Sequence, residues 1–128
     1  MGDTLTHVHD IPVLLGDPSG PVVRTEAEAL DLIVATGHYG AGADWLLLPE
    51  CRLPAEFFQL SSGFAGAVTQ KFVTYGIGLA ILGDISARAV GPVADWVRES
   101  NKGRHIWFVA DAEEFDQLLG RLAARRAK

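Results

Sequence analysis

Three short, uninterrupted apolar segments constrain the fold of this chain more than any other feature. They span residues 45–48, 77–82 and 106–109. Apolar runs of this length without alternation are typical of strands that are buried on both faces of a sheet. Segments with helical periodicity separate them, which favours β–α–β connections, parallel strands and helices over both faces.

Two further strands are predicted nearer the N-terminus. Residues 4–8 alternate polar and apolar side chains, and residues 11–15 are apolar apart from Pro12. Because proline has no backbone N–H to donate to a neighbouring strand, Pro12 indicates that the second of these strands lies at a sheet edge. The pair is expected to make the sheet mixed and not wholly parallel.

Capping signals mark the starts of two helices. Thr25 followed by Glu28 forms a capping box, which predicts a first helix over residues 26–36. Asp111 and Glu114 form a second capping box before the last helix.

Two more helices are predicted from the spacing of apolar residues. One covers about residues 63–75 and the other ends near residues 101–103. The whole chain, residues 1–128, is therefore predicted to be a single small α/β domain. Its sheet is expected to be mixed but mainly parallel, with four to five strands and about four flanking helices.

The composition argues against several functional classes. Hydrophobic residues make up 48% of the chain and the net charge is −5, so nucleic acid is not expected as a partner. The longest apolar runs are far shorter than the roughly 20 residues of a membrane-spanning helix, so no membrane partner is expected either. The single Cys51 and a start without basic and apolar leader regions predict a cytoplasmic protein.

Polar residues that follow the predicted buried strands are candidate ligand-binding groups. The carboxyl ends of parallel strands lie at one edge of a sheet, where open α/β folds usually bind ligands. Three acidic side chains are expected at this rim, and their oxygens suit Mg²⁺. However, each of them has a simpler role as a cap, a turn residue or a solvated group, so neither a metal nor a cofactor is predicted. The rim set comprises Glu50, Arg52, Asp84, Ser86 and Asp111.

The turn Ser61-Ser62-Gly63 directly precedes the second predicted helix. At this position the hydroxyl of Ser62 can accept a hydrogen bond from an otherwise unpaired backbone N–H of the helix. A phosphate on the same oxygen would add about two negative charges at the positive end of the helix dipole. A cap and a phosphorylation switch are both open for Ser62, whereas no base for serine hydrolysis is identifiable.

A second polar segment, with Asn101, Lys102 and Arg104, closes the third predicted helix. Its two cations could meet a carboxylate or a phosphate group. The simpler interpretation is a solvated helix end whose positive charges suit the helix dipole. Arg121 and Arg125 have the same interpretation at the end of the last helix.

Several segments resemble the bacterial domain-of-unknown-function family 4180. The similarity covers nearly the whole chain and implies a family without implying an activity. The segments are residues 60–66 (LSSGFAG), 70–72 (QKF), 79–86 (LAILGDIS) and 99–103 (ESNKG).

The order of strand, connection, Ser-Ser-Gly turn, apolar helix and second strand is similar, more distantly, to the STAS domain of anti-sigma factor antagonists. This resemblance implies a mixed sheet with flanking helices and a protein-binding surface around the helix that follows the serines. In that family the serine just before the glycine is phosphorylated, which corresponds to Ser62 here.

These observations favour a non-enzymatic, STAS-like regulatory or interaction domain. Its protein partner is expected to bind around Ser61, Ser62 and Phe64. The alternative is a small enzyme or ligand-binding protein that acts on a bacterial metabolite at the carboxyl rim. A third possibility is self-association through Trp96 or Phe115, and both a monomer and a homodimer remain open.

Overall fold

The computed structural model describes residues 2–126 and contains the strands and helices that the sequence predicts. The strands are β1 (Thr4–Val8), β2 (Ile11–Leu15), β3 (Trp45–Pro49), β4 (Gly78–Leu82) and β5 (Ile106–Val109). The helices are α1 (Glu26–Thr36), α2 (Phe64–Thr74), α3 (Pro92–Lys102) and α4 (Ala112–Arg126). Three 3₁₀ helices lie between β3 and α2, at Glu50–Arg52, Ala55–Phe58 and Leu60–Ser62. None of the described helices is long and apolar enough to cross a membrane.

The five strands form one sheet in the order β1-β2-β3-β4-β5. β1 pairs with β2 in the antiparallel sense, and the pairs β2–β3, β3–β4 and β4–β5 are parallel. The prediction of a mixed, mainly parallel sheet is therefore confirmed. Because every crossover moves toward the β5 edge, the right-handed rule places α1, α2 and α3 on the same face.

The prediction that Pro12 marks an edge strand is wrong, because β2 lies between β1 and β3. The parallel ladder between β2 and β3 begins one residue later, at the pair Val13 and Trp45. The carbonyl of Pro12 accepts the N–H of Asp44 from the side of β3. The nitrogen and the carbonyl of a strand residue point to the same side, so the nitrogen of Pro12 also faces β3. It lies just before the first pair of the β2–β3 ladder, and its missing N–H therefore leaves no carbonyl of β3 without a partner.

The face that carries α1, α2 and α3 holds the larger part of the core. Side chains from the middle of the sheet and from the inner faces of these helices are fully or almost fully buried there. Burying such side chains contributes about 1.5–3 kcal/mol each. They include Leu46, Leu79, Ile81 and Phe108 from the strands and Ile33, Val68, Phe72 and Val93 from the helices.

The opposite face is covered by α4. The indole rings of Trp45 and Trp107 stack there with centroids 4.1 Å apart, and Phe115 packs edge-on against both. This stack crosses β4 where Gly78 offers no side chain, because a Cβ at that position would overlap the ring of Trp45. The predicted cover on both faces is thus confirmed, with three helices on one side and one on the other.

The β1–β2 hairpin anchors α4 to the edge of the sheet. His9 and Asp10 form its turn with φ of 51° and 65°. The Nε2 atom of His9 lies 2.9 Å from Oδ1 of Asp116 on α4. The last helix is therefore held at both the β5 side and the β1 side of the sheet.

Candidate functional site

Glu50 is partly buried at the carboxyl rim, where it pairs with Arg88. Its Oε2 lies 3.4 Å from Nη1 of Arg88, whose guanidinium stands 4.7 Å above the ring of Phe58. A Cβ on Gly83, just after β4, would overlap the side chain of Glu50. Glu50 is therefore held between a cation and a glycine that gives it room, and it is not a free rim carboxylate.

Arg52 is buried, with 4% of its surface exposed, and is therefore not the accessible rim cation that the sequence indicated. Its Nε donates to the carbonyl of Pro21 at 3.0 Å, and its Nη1 donates to Oδ1 of Asp3 at 2.8 Å. A Cβ on Gly20 would overlap the guanidinium. Arg52 thus clamps the start of the chain and the loop after β2 onto the sheet.

Asp84 and Asp111 also hold local structure. The backbone N–H of Ser86 donates to Oδ1 of Asp84 at 3.0 Å. Hydrogen bonds from the hydroxyl and the N–H of Ser86 hold the pKa of Asp84 below its ordinary value. Asp111 accepts the N–H of Glu114 at 2.9 Å, as the predicted cap requires. The return bond differs slightly, because Glu114 accepts from Ala110 and not from Asp111.

Of the five rim residues, Asp84 and Ser86 line a cavity of about 240 Å³ between the ends of β4 and β5. Asp84, Ser86 and Glu114 supply polar atoms to its wall, and each carboxylate there already accepts a backbone N–H. Within residues 2–126, no group of three or more His, Cys, Asp or Glu side chains could hold a metal ion. Glu50 and Asp111 do not line this cavity, and the carboxylates of Asp84 and Glu114, which do line it, already have hydrogen-bond partners.

Ser61 and Ser62 are exposed at the start of α2. Ser62 ends the 3₁₀ helix Leu60–Ser62, and Gly63 follows with φ of 76°, a conformation that favours glycine. The hydroxyl of Ser62 accepts the N–H of Phe64 at 3.2 Å. The predicted pairing of a helix N–H with Ser62 is confirmed, although Gly63 occupies the capping position itself.

The same hydroxyl has a second partner that the sequence did not indicate. It donates to the carbonyl oxygen of Glu56 at 2.9 Å. Glu56 belongs to the 3₁₀ helix Ala55–Phe58, so one exposed oxygen links this helix to the first residue of α2. Ser62 and Glu56 are six residues apart and lie in two separate single-turn helices. No repeating pattern of residues in the sequence indicates such a bond.

An aromatic cluster lies directly beneath this link. Phe57 is fully buried and its ring meets those of Phe58, Phe64 and Trp96 at centroid distances of 5.3, 6.4 and 5.6 Å. Trp96 continues the cluster to Phe108 on β5. The exposed serine turn therefore rests on side chains that reach from α2 to α3 and the sheet.

Neither side chain proposed for self-association offers an open apolar surface. Phe115 is 2% exposed, because it lies on the face of α4 that packs against Trp45 and Trp107 of the sheet. Trp96 is only partly exposed, because it packs against Phe57 and Phe108. These two positions therefore give no support to a self-association interface.

Asn101 lies in the last turn of α3, not in the loop that follows it. Its side-chain amide donates to the carbonyl of Phe108 at 3.1 Å and its oxygen accepts the N–H of Phe108 at 2.7 Å. It thereby pairs the N–H and the carbonyl of Phe108 at the outer edge of β5, as a further strand would. The sequence contained no periodic signal for this pairing.

Lys102 and Arg104 are exposed beyond Asn101. Lys102 forms an exposed ion pair with Glu99, with its Nζ 3.3 Å from Oε1. It also faces a cavity that Arg121 and Arg125 of α4 line. The sequence placed these two arginines on a separate, solvated helix end, and the fold brings them beside Lys102.

One family model matches residues 8–119, which is nearly the whole chain. Its description is "Domain of unknown function (DUF4180)". No curated protein and no solved structure gives a match to this chain.

Proposed function

The chain belongs to the DUF4180 family, and we propose that it is a cytoplasmic, non-enzymatic regulatory domain that binds a protein partner. The partner binds at the exposed surface formed by Ser61, Ser62, Gly63 and the outer edge of Phe64, which we call the serine surface. Phosphorylation of Ser62 controls this binding. The observation that carries the proposal is the double hydrogen bond of the exposed Ser62 hydroxyl, to Glu56 and to Phe64.

A phosphate on Ser62 would affect its two hydrogen bonds differently. The hydroxyl donates to the carbonyl of Glu56, and a phosphate ester at that oxygen has no proton to donate there. The N–H of Phe64 is a donor, so it can still bond to a phosphate oxygen. About two negative charges also gain from the positive end of the α2 dipole. Phosphorylation therefore removes the bond that ties the 3₁₀ helix Ala55–Phe58 to the serine turn, while it supports the start of α2.

The 3₁₀ helix Ala55–Phe58 carries the centre of the aromatic cluster. Phe57 packs against Phe64 and Trp96, and Phe58 lies under Arg88. A loss of the bond from Ser62 to Glu56 thus acts on side chains that shape the neighbouring surface. Phosphorylation of the Ser62 oxygen can therefore change the shape of the surface that the partner binds.

The surface next to Ser62 suits a closely approaching partner. No atom lies within 4 Å of the place where a Cβ would stand on Gly63 or on Gly66, the third residue of α2. Small side chains let a partner backbone approach closely, and a phosphate placed in such an interface would lose hydration. We therefore expect the phosphorylated form to bind its partner more weakly.

Affinity capture from the native host tests this proposal. Tagged wild type is compared with Ser62→Ala, Ser62→Asp and the control Ser86→Asp, which adds the same charge at another exposed serine. We expect wild type and Ser86→Asp to capture the same partner and Ser62→Asp to lose it. Equal capture by all four proteins, each verified as folded by circular dichroism, would contradict the proposal. Mass spectrometry of wild type from the host reports whether Ser62 carries a phosphate.

A further inference from the structure

The largest of the described surface cavities lies at the end of the sheet where β5 begins. It has a volume of about 610 Å³, within the range of small-molecule sites. α3 ends there because it leads into β5, and the last turns of α4 form the other wall. The lining residues include Lys102, Trp107, Leu118, Arg121, Ala124 and Arg125. We call it the α3–α4 cavity.

Positive charge is concentrated in this cavity although the chain has a net charge of −5. Lys102, Arg121 and Arg125 all line it. Arg121 and Arg125 are four residues apart on α4, a spacing at which like charges destabilise a helix. Within residues 2–126, neither arginine has a carboxylate partner at ion-pair distance, and the pair of Lys102 with Glu99 is exposed and therefore weak.

The dipoles of the two helices account for only part of this arrangement. A cation gains about 0.3–1 kcal/mol from the helix dipole, and only within the last turn. Lys102 and Arg125 fulfil this condition, since α3 ends at Lys102 and α4 at Arg126. Arg121 lies more than a turn before the end of α4, so the dipole does not explain its place beside the other two cations.

The polar groups in the floor of the cavity are already paired. The indole N–H of Trp107 donates to the carbonyl of Gly103 at 3.0 Å, and the amide of Asn101 is bound to Phe108. The remaining lining is apolar at Leu118 and Ala124. The groups that remain available to a ligand are thus the cations of the wall and the apolar side chains of the floor.

We propose that the α3–α4 cavity binds a small organic anion. Its carboxylate or phosphate group contacts Lys102, Arg121 and Arg125, and its apolar part lies against Leu118 and Ala124. This site is separate from the serine surface, because α2 begins at the opposite end of the sheet. Three cations inside one concave site on an acidic protein fit a small ligand, since a nucleic acid strand requires an extended basic surface.

An NMR titration of ¹⁵N-labelled full-length protein tests the proposal with three probes. The probes are phenyl phosphate, inorganic phosphate and benzyl alcohol, which separate the anionic from the apolar contribution. We expect phenyl phosphate to shift the amide signals of Gly103, Leu118 and Arg121 in a saturable way. Its affinity should exceed that of either other probe at least about tenfold, because both halves of the site are then used.

The variants Arg121→Gln and Arg125→Gln identify the binding groups. Each should weaken phenyl phosphate at least about tenfold, whereas Arg98→Gln should leave the affinity unchanged. Arg98 is a suitable control because it is an exposed arginine on α3 that pairs with Asp95. Unsaturable shifts, equal affinity for inorganic and phenyl phosphate, or equal affinity of all three variants would each overturn the proposal.

Discussion

The hydroxyl of Ser62 lies 2.9 Å from the carbonyl oxygen of Glu56 and donates a hydrogen bond to it. This bond connects the 3₁₀ helix Ala55–Phe58 to the serine turn, from which only Gly63 leads into α2. Because the oxygen of Ser62 is also exposed, the connection can be altered from outside without opening the core.

Ser62→Ala should destabilise the fold by about 0.5–1.5 kcal/mol, since it removes the bond to Glu56 and the acceptor for the N–H of Phe64. Ser61→Ala is the matched control, because Ser61 is also exposed and its hydroxyl has no hydrogen-bond partner within residues 2–126. Urea unfolding followed by circular dichroism gives both values. Equal stability of the two variants would show that the hydroxyl of Ser62 holds nothing in place.

Gly78→Ala should destabilise the protein by about 1–3 kcal/mol, because the added methyl group overlaps the ring of Trp45 within a packed core. The stacked indoles should also change their near-ultraviolet circular dichroism. Thermal and urea unfolding measure the loss of stability.

Gly66→Ala is the matched control for that substitution. Gly66 lies inside α2 and a Cβ there meets no atom within 4 Å. The same chemical change should therefore stabilise the protein by about 0.5–1 kcal/mol, through the higher helix propensity of alanine. A stabilised Gly78→Ala variant would contradict the packing described for Trp45 and Trp107.

Asn101→Ala should cost about 1–3 kcal/mol, because it leaves the N–H and the carbonyl of Phe108 without their partner at the sheet edge. Hydrogen exchange at the Phe108 amide should become faster. Glu99→Ala, which removes only an exposed ion pair on the same helix, should change stability by less than about 0.5 kcal/mol. Unchanged exchange at Phe108 would contradict the role assigned to Asn101.

Asp84 should contribute to stability at neutral pH and lose that contribution in acid. Hydrogen bonds from Ser86 lower its pKa in the folded state, so the folded protein binds a proton there less readily than the unfolded chain does. The contribution is present above the unfolded value of about 3.9 and disappears as the pH falls through the folded value. Carbon-13 NMR titration of the Asp84 carboxyl group should give a midpoint below about 3.9. A midpoint at or above that value, or an acid stability profile unchanged in Asp84→Asn, would contradict this assignment.

The strands and helices could be predicted because their signals are local. The capping box of Thr25 and Glu28 is fully formed, and α1 has the predicted bounds. The apolar segments became β3, β4 and β5, with their alternate side chains divided between two cores. Local patterns could not fix the place of β2, however, since the effect of Pro12 depends on where the neighbouring ladder begins.

The contacts that define the candidate sites depend on side chains that are distant in the sequence or lie in irregular segments. Residues 50–62 form three single-turn 3₁₀ helices, which are too short for a periodic apolar pattern. Arg52 had the sequence context of a rim cation, and its burial against Asp3 follows only from the folded position of the N-terminal segment. The approach of Lys102 to Arg121 and Arg125 likewise follows from the packing of α4 on the sheet.

The affinity of the protein for its captured partner reports whether Ser62 controls binding. The purified partner is titrated by isothermal calorimetry with wild type, Ser62→Ala, Ser62→Asp and Ser86→Asp. We predict that Ser62→Asp raises the Kd at least about tenfold, equivalent to about 1.4 kcal/mol, and that Ser86→Asp stays within about threefold of wild type. Ser62→Ala, which loses the bond to Glu56 but adds no charge, should raise the Kd by less than Ser62→Asp does. A Kd that is the same for all four proteins would contradict control of partner binding by Ser62.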